Sequence, residues 1–237
     1  MDAIILAGGF GTRLQSVLSN VPKPMAPMGE ANDNRPFLSM LLQYLAGQGV
    51  TRAILATHFM HDVIESYLGT SHAGISLEYV REETPLFSGG AIVNAIHAAK
   101  LTKTFLVLNG DTFVQADYRN LYQTHLTSGA PLTMLLRHIP DTGRSGIVEI
   151  EGSTIFKFGE RGTPGQPGYI NAGVWVMSPN LLTAYPQGQA FSFEKDFLQP
   201  NIPNQLQPQA MVTEGYFIDI GVPEDYARAQ SELAAYI

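Results

Sequence analysis

Cysteine is absent from all 237 residues, which excludes a disulfide framework and a thiolate-ligated metal. Basic charge is scarce: 14 Lys and Arg stand against 21 Asp and Glu, for a net charge of −7, and the basic residues are scattered singly. That distribution leaves no footprint for nucleic acid or for an anionic membrane surface. No apolar run approaches the ~18 residues of a membrane span, and the start, Met1-Asp2-Ala3, lacks a basic n-region. The expected partners are therefore small molecules, with no nucleic acid and no membrane, and the expected compartment is the cytoplasm. Repeats, linkers and low-complexity tracts are missing too, so one domain over residues 1–237 is expected, its core supplied by 45% hydrophobic residues.

What is present begins at residue 6. Leu6-Ala7-Gly8-Gly9-Phe10-Gly11-Thr12-Arg13-Leu14 follows the apolar run Ala3-Ile4-Ile5-Leu6, and Pro22-Lys23-Pro24 comes shortly after. The apolar run reads as a buried first strand, so the glycines fall where a strand opens into a loop at the sheet's carboxyl edge, the ligand edge of α/β proteins. Three glycines in four residues let backbone approach a polyphosphate, and Arg13 and Lys23 add cations for phosphoryl oxygens. A dinucleotide fingerprint fails, because Leu14 stands where its last glycine belongs; a P-loop fails, because the chain has no Gly-Lys pair.

The coarse pattern alternates. Helix is predicted over Phe37–Gln48, ended by Gly49, with strands at Arg52–Ala56, Ile75–Val80 and Thr104–Asn109 and helices at Asp62–Leu68 and Gly90–Ala99. This predicts an α/β fold with a mostly parallel central sheet and helices on both faces. Between Leu132 and Val176 the pattern changes to short strands and glycine turns, a small β meander. Pro223–Tyr236 predicts a closing helix, with proline at its first position and Glu224 and Asp225 in its first turn.

Asp111 follows the strand ending at Asn109, where a carboxylate can hold Mg²⁺ against a triphosphate; Asp219 in Phe217-Ile218-Asp219-Ile220-Gly221 is its natural partner. Taken alone, an aspartate after a strand is more often a helix cap or turn former. The ordered set of Gly89-Gly90-Ala91, Asn109-Gly110-Asp111, Phe158-Gly159-Glu160-Arg161, Asn171-Ala172-Gly173 and Asp219-Ile220-Gly221-Val222-Pro223-Glu224-Asp225, after the first loop, resembles the sugar-1-phosphate nucleotidyltransferases over nearly the whole chain.

The resemblance implies a Rossmann-like nucleotide-diphospho-sugar transferase fold, with a nucleotide half over about residues 1–130, a sugar-side half over about 131–237, and often a homodimer. It implies that Arg13 holds the departing phosphates, that Lys23 contacts the α-phosphate, and that Asp111 and Asp219 hold Mg²⁺. Leu6, Ala7, Gly8, Gly9, Gly11 and Thr12, with Ser88, Gly89 and Gly90, would contact the nucleotide. Gly146, Glu160, Arg161, Asn171, Ala172 and Gly173 would contact the sugar phosphate. The detailed motifs are most similar to family members that join GTP to D-glycero-α-D-manno-heptose 1-phosphate for surface or capsule glycans. Mannose, glucose or amino-sugar 1-phosphates with GTP, UTP or dTTP are the alternatives, and a non-catalytic nucleotide-sugar sensor is the alternative from another class.

The chain departs from the family pattern in three places. Arg161 stands where relatives carry lysine, and its fork reaches differently. Phe87 replaces a glycine in Pro85-Leu86-Phe87-Ser88-Gly89-Gly90 and is expected not to take the positive φ that glycine allows. Gly29 to Arg35 is a polar insertion, expected as a surface loop. Gly146 could be a plain turn residue, Trp175 reads as core, and Phe191, Phe193, Tyr216 and Phe217 either wall the sugar site or pack. His58 and His61, with only Asp62 at ligand spacing, are expected to be structural.

Overall fold

The structure is a computed structural model that describes residues 1–14, 17–18, 21–29 and 34–237. The chain forms two compact units, one of Met1–Pro85, Leu108–Gln115 and Tyr216–Ile237, the other of Leu86–Val107 and Ala116–Gly215. Neither is a continuous stretch of chain. The chain passes between units within the strand Phe105–Asn109.

In the first unit the strand Asp2–Leu6 pairs in parallel with Arg52–Thr57, which pairs in parallel with Ile75–Arg81; the short strand Ser71–His72 adds an antiparallel edge. Ala3, Ile4, Ile5, Ala53, Ile54 and Leu55 are fully buried. Unbroken apolar runs of this kind belong to strands covered on both faces, and each buried Ile or Leu contributes about 1.5–3 kcal/mol. The helix Phe37–Gly47 buries Phe37, Leu38, Leu41, Leu42 and Leu45 along one stripe, and Gly49, at φ 92°, ends it where sequence predicted. The closing helix runs over Pro223–Glu232 and tightens into a 3₁₀ turn at Leu233–Tyr236. Its Tyr226 hydroxyl and Gln230 amide both donate to the Pro27 carbonyl, at 2.8 and 2.7 Å.

In the second unit Leu132–Ile139 pairs antiparallel with Gly168–Met177 and parallel with Gln209–Thr213, while Gly146–Glu151 and Thr154–Arg161 form a hairpin. The parallel character predicted for the sheet is thus concentrated in the first unit, and the meander is the antiparallel part. Trp175 is core as expected, its ring 5.5 Å from that of Phe193. The helix Tyr118–Ser128 escaped sequence reading because only Tyr118, Leu121 and His125 are buried. Its ends still carry plain signals: Asp117 accepts from the Asn120 N–H at 2.9 Å, and Gly129 stops the helix at φ 70°.

Phe87 does take a positive φ, of 56°, at the first position of the helix Phe87–Ala98. The reason is tertiary: the Gly89 and Gly90 N–H groups donate to the Phe191 carbonyl at 2.9 and 3.3 Å and fix that first turn, against a strain of about 1–2 kcal/mol. The insertion between Gly29 and Arg35 falls largely on residues 30–33, outside the described residues; Pro27–Met28 and Arg35–Pro36 on either side pair antiparallel.

Candidate active site

The first unit brings together four ionic groups from three distant segments, Arg13 and Lys23, Asp111, and Asp219. Leu6 ends the first strand, and the Gly110 N–H donates to its carbonyl at 2.9 Å; a Cβ on Gly110 would stand 2.8 Å from that oxygen, so only glycine lets the Asp111 turn approach. The strand Phe217–Asp219 pairs antiparallel with Thr112–Val114, with Asp219 opposite Thr112, and the Ile220 N–H donates to the Asp111 carbonyl at 3.1 Å. That ladder sets the two aspartates side by side.

Lys23 completes the arrangement. It opens the 3₁₀ turn Lys23–Met25 between two prolines, and its side chain is only 10% exposed. Its Nζ lies 2.6 Å from Asp111 Oδ2 and 3.3 Å from Asp219 Oδ1. Gly11, at φ 60°, passes the glycine loop over Lys23, whose Cβ lies 3.0 Å from where a Gly11 side chain would begin. Arg13 is exposed in the 3₁₀ turn Thr12–Leu14, which Leu14 anchors in the core. A Cβ on Gly221 would stand 2.9 Å from Asp219 Oδ1, 3.1 Å from Lys23 Nζ and 3.3 Å from Arg13 Nη2, so this one glycine marks the convergence of three charged tips. Leu6, Gly9, Gly11, Thr12, Arg13, Lys23, Asp111 and Gly221 line a cavity of about 180 Å³. That is smaller than the roughly 300–1,000 Å³ of a pocket for a whole ligand and suits its phosphate portion. Ala7 instead continues the strand, donating to the Ala56 carbonyl at 2.8 Å, and Gly8 packs against His58.

Burial and the charge of Asp111 push the Asp219 carboxyl up from its ordinary pKa, against the pull of Lys23. Two carboxylates that already share one cation form a hard-oxygen donor pair, the kind Mg²⁺ takes when phosphates and water supply its remaining ligands. Among the described residues no group of three or more His, Asp or Glu could hold a metal by itself. The histidines are structural there: His61 meets Thr57 Oγ1 at 2.7 Å and His58 meets the Glu82 carbonyl at 2.7 Å.

In the second unit the motif residues sit on two bulges. Val148 pairs with Phe158 and Ile147 with Glu160, which leaves Gly159 as an extra residue at φ 84° and sets Gly146 opposite Arg161. Glu160 pairs with Lys157 at 2.9 Å. Arg161 Nε donates to the Gly143 carbonyl at 3.4 Å, and Arg161 lines a cavity of about 430 Å³ with Thr142, Phe156 and Tyr169, whereas Asn171 and Gly173 do not line it. The second bulge is Ala172-Gly173-Val174, since Asn171 pairs with Leu136 and Trp175 with Met134. Asn171 closes it: its Oδ1 accepts from the Gly173 N–H at 3.0 Å.

Ser88, Gly89 and Gly90 turn out to be engaged with the segment Gln189–Phe193. Ser88 Oγ accepts from the Phe193 N–H at 3.0 Å. The Phe191 ring fills the space where a Gly89 side chain would go, and the Gln189 carbonyl fills that of Gly90. Phe191 and Phe193 themselves pack, Phe191 stacked on Tyr185 at 4.1 Å between centroids, and Tyr216 stacks on Tyr236 at 4.2 Å. Sequence reasoning did not single out Gly221 or Glu194. Gly221 was visible inside its motif, whereas Glu194, bonded to Asn171 Nδ2 at 2.6 Å, carried no spacing signal.

An α/β fold with glycine loop, clamped lysine and paired aspartates defines a protein that handles nucleoside phosphates, and the chain belongs to the nucleotidyl transferase family, whose model matches residues 2–235. It is 40% identical, over the full length of both chains, to a D-glycero-α-D-manno-heptose 1-phosphate guanylyltransferase of Aneurinibacillus thermoaerophilus. A protein of the same name from Campylobacter jejuni is 37% identical over 95% of this chain and 97% of its own. Among solved structures, HddC from Yersinia pseudotuberculosis complexed with GMP-PN superposes with a TM-score of 0.83 at 36% identity, covering 98% of this chain and 99% of that one.

Proposed function

We propose that this protein joins GTP to D-glycero-α-D-manno-heptose 1-phosphate, giving the GDP-sugar and pyrophosphate for surface glycan synthesis in the cytoplasm. The observation that carries the reading is Lys23 Nζ held at 2.6 and 3.3 Å by Asp111 and Asp219 beside the glycine loop. The names of its relatives supply the nucleotide and the sugar.

In the reaction a sugar 1-phosphate oxygen attacks the α-phosphorus, one P–O bond forms, the bond to the β-phosphate's bridging oxygen breaks, and pyrophosphate leaves. No covalent enzyme intermediate is needed, so catalysis consists of positioning and charge neutralisation. Lys23 moves from the carboxylates to the α-phosphate oxygens where charge accumulates, and Arg13 holds the departing β- and γ-phosphates. Asp111 and Asp219 would hold Mg²⁺, which would supply charge neutralisation for the triphosphate. The Gly9 backbone, with open space beside it, lets the phosphates come close. Glu160, Arg161 and Asn171 are assigned to the sugar phosphate.

The test is pyrophosphate release over a grid of nucleoside triphosphates and sugar 1-phosphates with Mg²⁺. Turnover confined to GTP with the heptose phosphate is the expected result. Turnover with another pair keeps the reaction and changes the substrate; tight nucleotide-sugar binding with no turnover on any pair overturns the enzyme reading.

A further inference from the structure

The Asn171 amide has one orientation. Its Oδ1 accepts from the Gly173 N–H, which cannot accept in return, so Nδ2 faces Glu194 and donates to Oε1 at 2.6 Å. This leaves one N–H on Nδ2 and the second carboxylate oxygen of Glu194 uncommitted among the described residues. A free donor and a free acceptor therefore lie side by side.

Glu194 is held rather than waving from the surface. It lies in the first turn of the π-helix Phe193–Leu198, a rare form that concentrates at functional sites. Ser192 Oγ accepts from the Lys195 N–H at 3.2 Å while Asp196 accepts from the Ser192 N–H at 2.7 Å, which locks that turn. Phe193 anchors it against Trp175 and Phe197 at 5.5 and 5.4 Å. Burial pushes the Glu194 carboxyl up from its ordinary pKa, opposed by Asn171 and Lys195. A carboxylate so placed repels phosphate and attracts a neutral donor.

We propose that Glu194 is a specificity-determining residue: one ring or side-chain hydroxyl of the sugar donates to its free oxygen while accepting from Asn171 Nδ2. A hydroxyl is the group that does both at once. The proposal rests on the sugar 1-phosphate reading above and adds to it a residue outside the motifs quoted for the resemblance.

Glu194→Gln tests it, because the amide oxygen can still accept from Asn171 while the free acceptor becomes a donor. Steady-state kinetics with each substrate varied, calorimetric binding of the sugar 1-phosphate and thermal unfolding are measured together. The expected result is a sugar KM and Kd raised about tenfold or more, the size of a lost hydrogen bond to a charged group, with the GTP KM within about twofold and Tm unchanged. A deoxy sugar lacking the contacted hydroxyl should bind wild type and E194Q equally. An unchanged sugar KM, or an equal rise in both KM values, overturns the proposal. If wild type binds sugar 1-phosphates without turning them over, the proposed reaction fails while the Kd comparison still decides Glu194; if it binds none, both fail.

Discussion

In the unit that holds Lys23, the space beside Gly221 is occupied by the tips of Asp219, Lys23 and Arg13; in the other, the space beside Gly89 is occupied by the Phe191 ring. Both glycines stand in motifs that carry the resemblance, and both are required by a close approach. The neighbours differ in kind. Charged tips on flexible stems can retreat from a methyl group at the expense of their mutual geometry, whereas a packed ring must move with everything around it. The first glycine therefore protects the geometry of a charged cluster and the second the packing of a fold. The same contrast separates the two units generally: formal charges from far-apart segments meet in one, while bulges closed by side-chain amide and carboxylate bonds shape the other.

The comparison breaks most visibly at the charges. Lys23→Ala and Asp111→Ala should each lower turnover by two or more decades, about 2.7–4 kcal/mol of transition-state stabilisation. The protein should remain folded by circular dichroism. Near-wild-type pyrophosphate release in either variant would remove the site from the first unit.

A sharper test sets the two glycines against each other. Gly221→Ala should reduce turnover by up to about a hundredfold, as a displacement of the ionic cluster approaching 1 Å can do, with Tm within a degree or two of wild type. Gly89→Ala should instead destabilise by about 1–3 kcal/mol through overpacking, which for a chain of this size lowers Tm by roughly 2–4 °C per kcal/mol. Calorimetric melts and kinetics on both proteins check this; if Gly221→Ala loses stability and keeps its rate, the distinction fails.

Phe87→Gly should give the smallest effect. It relieves the strain of φ 56° but adds the conformational entropy of glycine to the unfolded chain, so the net gain in stability is below about 1 kcal/mol. A loss of more than that in urea unfolding would show that the exposed ring, not the backbone, matters at this position.

Much of this molecule was legible before any coordinates. The helix Phe37–Gly47 and the strands at 52–57 and 75–81 announce themselves because burial on one or both faces writes a period into the sequence. The Tyr118–Ser128 helix does not, since its buried face is three residues wide. At the site, Arg13, Lys23, Asp111 and Asp219 were visible as charges within motifs, each within two residues of glycine or proline. Their meeting was expected from the resemblance but not written in any spacing, because 196 positions separate Lys23 from Asp219 and only the ladder of 217–219 on 112–114 closes that distance. Phe87 was misjudged because propensity is local, and two hydrogen bonds to the Phe191 carbonyl outweigh it.

The sequence by itself determined the α/β class, the phosphate-directed loop and the kinds of side chain available for the chemistry, since these depend on composition, periodicity and neighbours along the chain. Tertiary structure alone decided that Lys23 rests between two aspartates, that Gly89 and Gly90 admit a packed segment, and that Glu194 fixes Asn171. The physical reason is that a side chain's partner and the space around it are properties of contacts between distant segments, which no local pattern records.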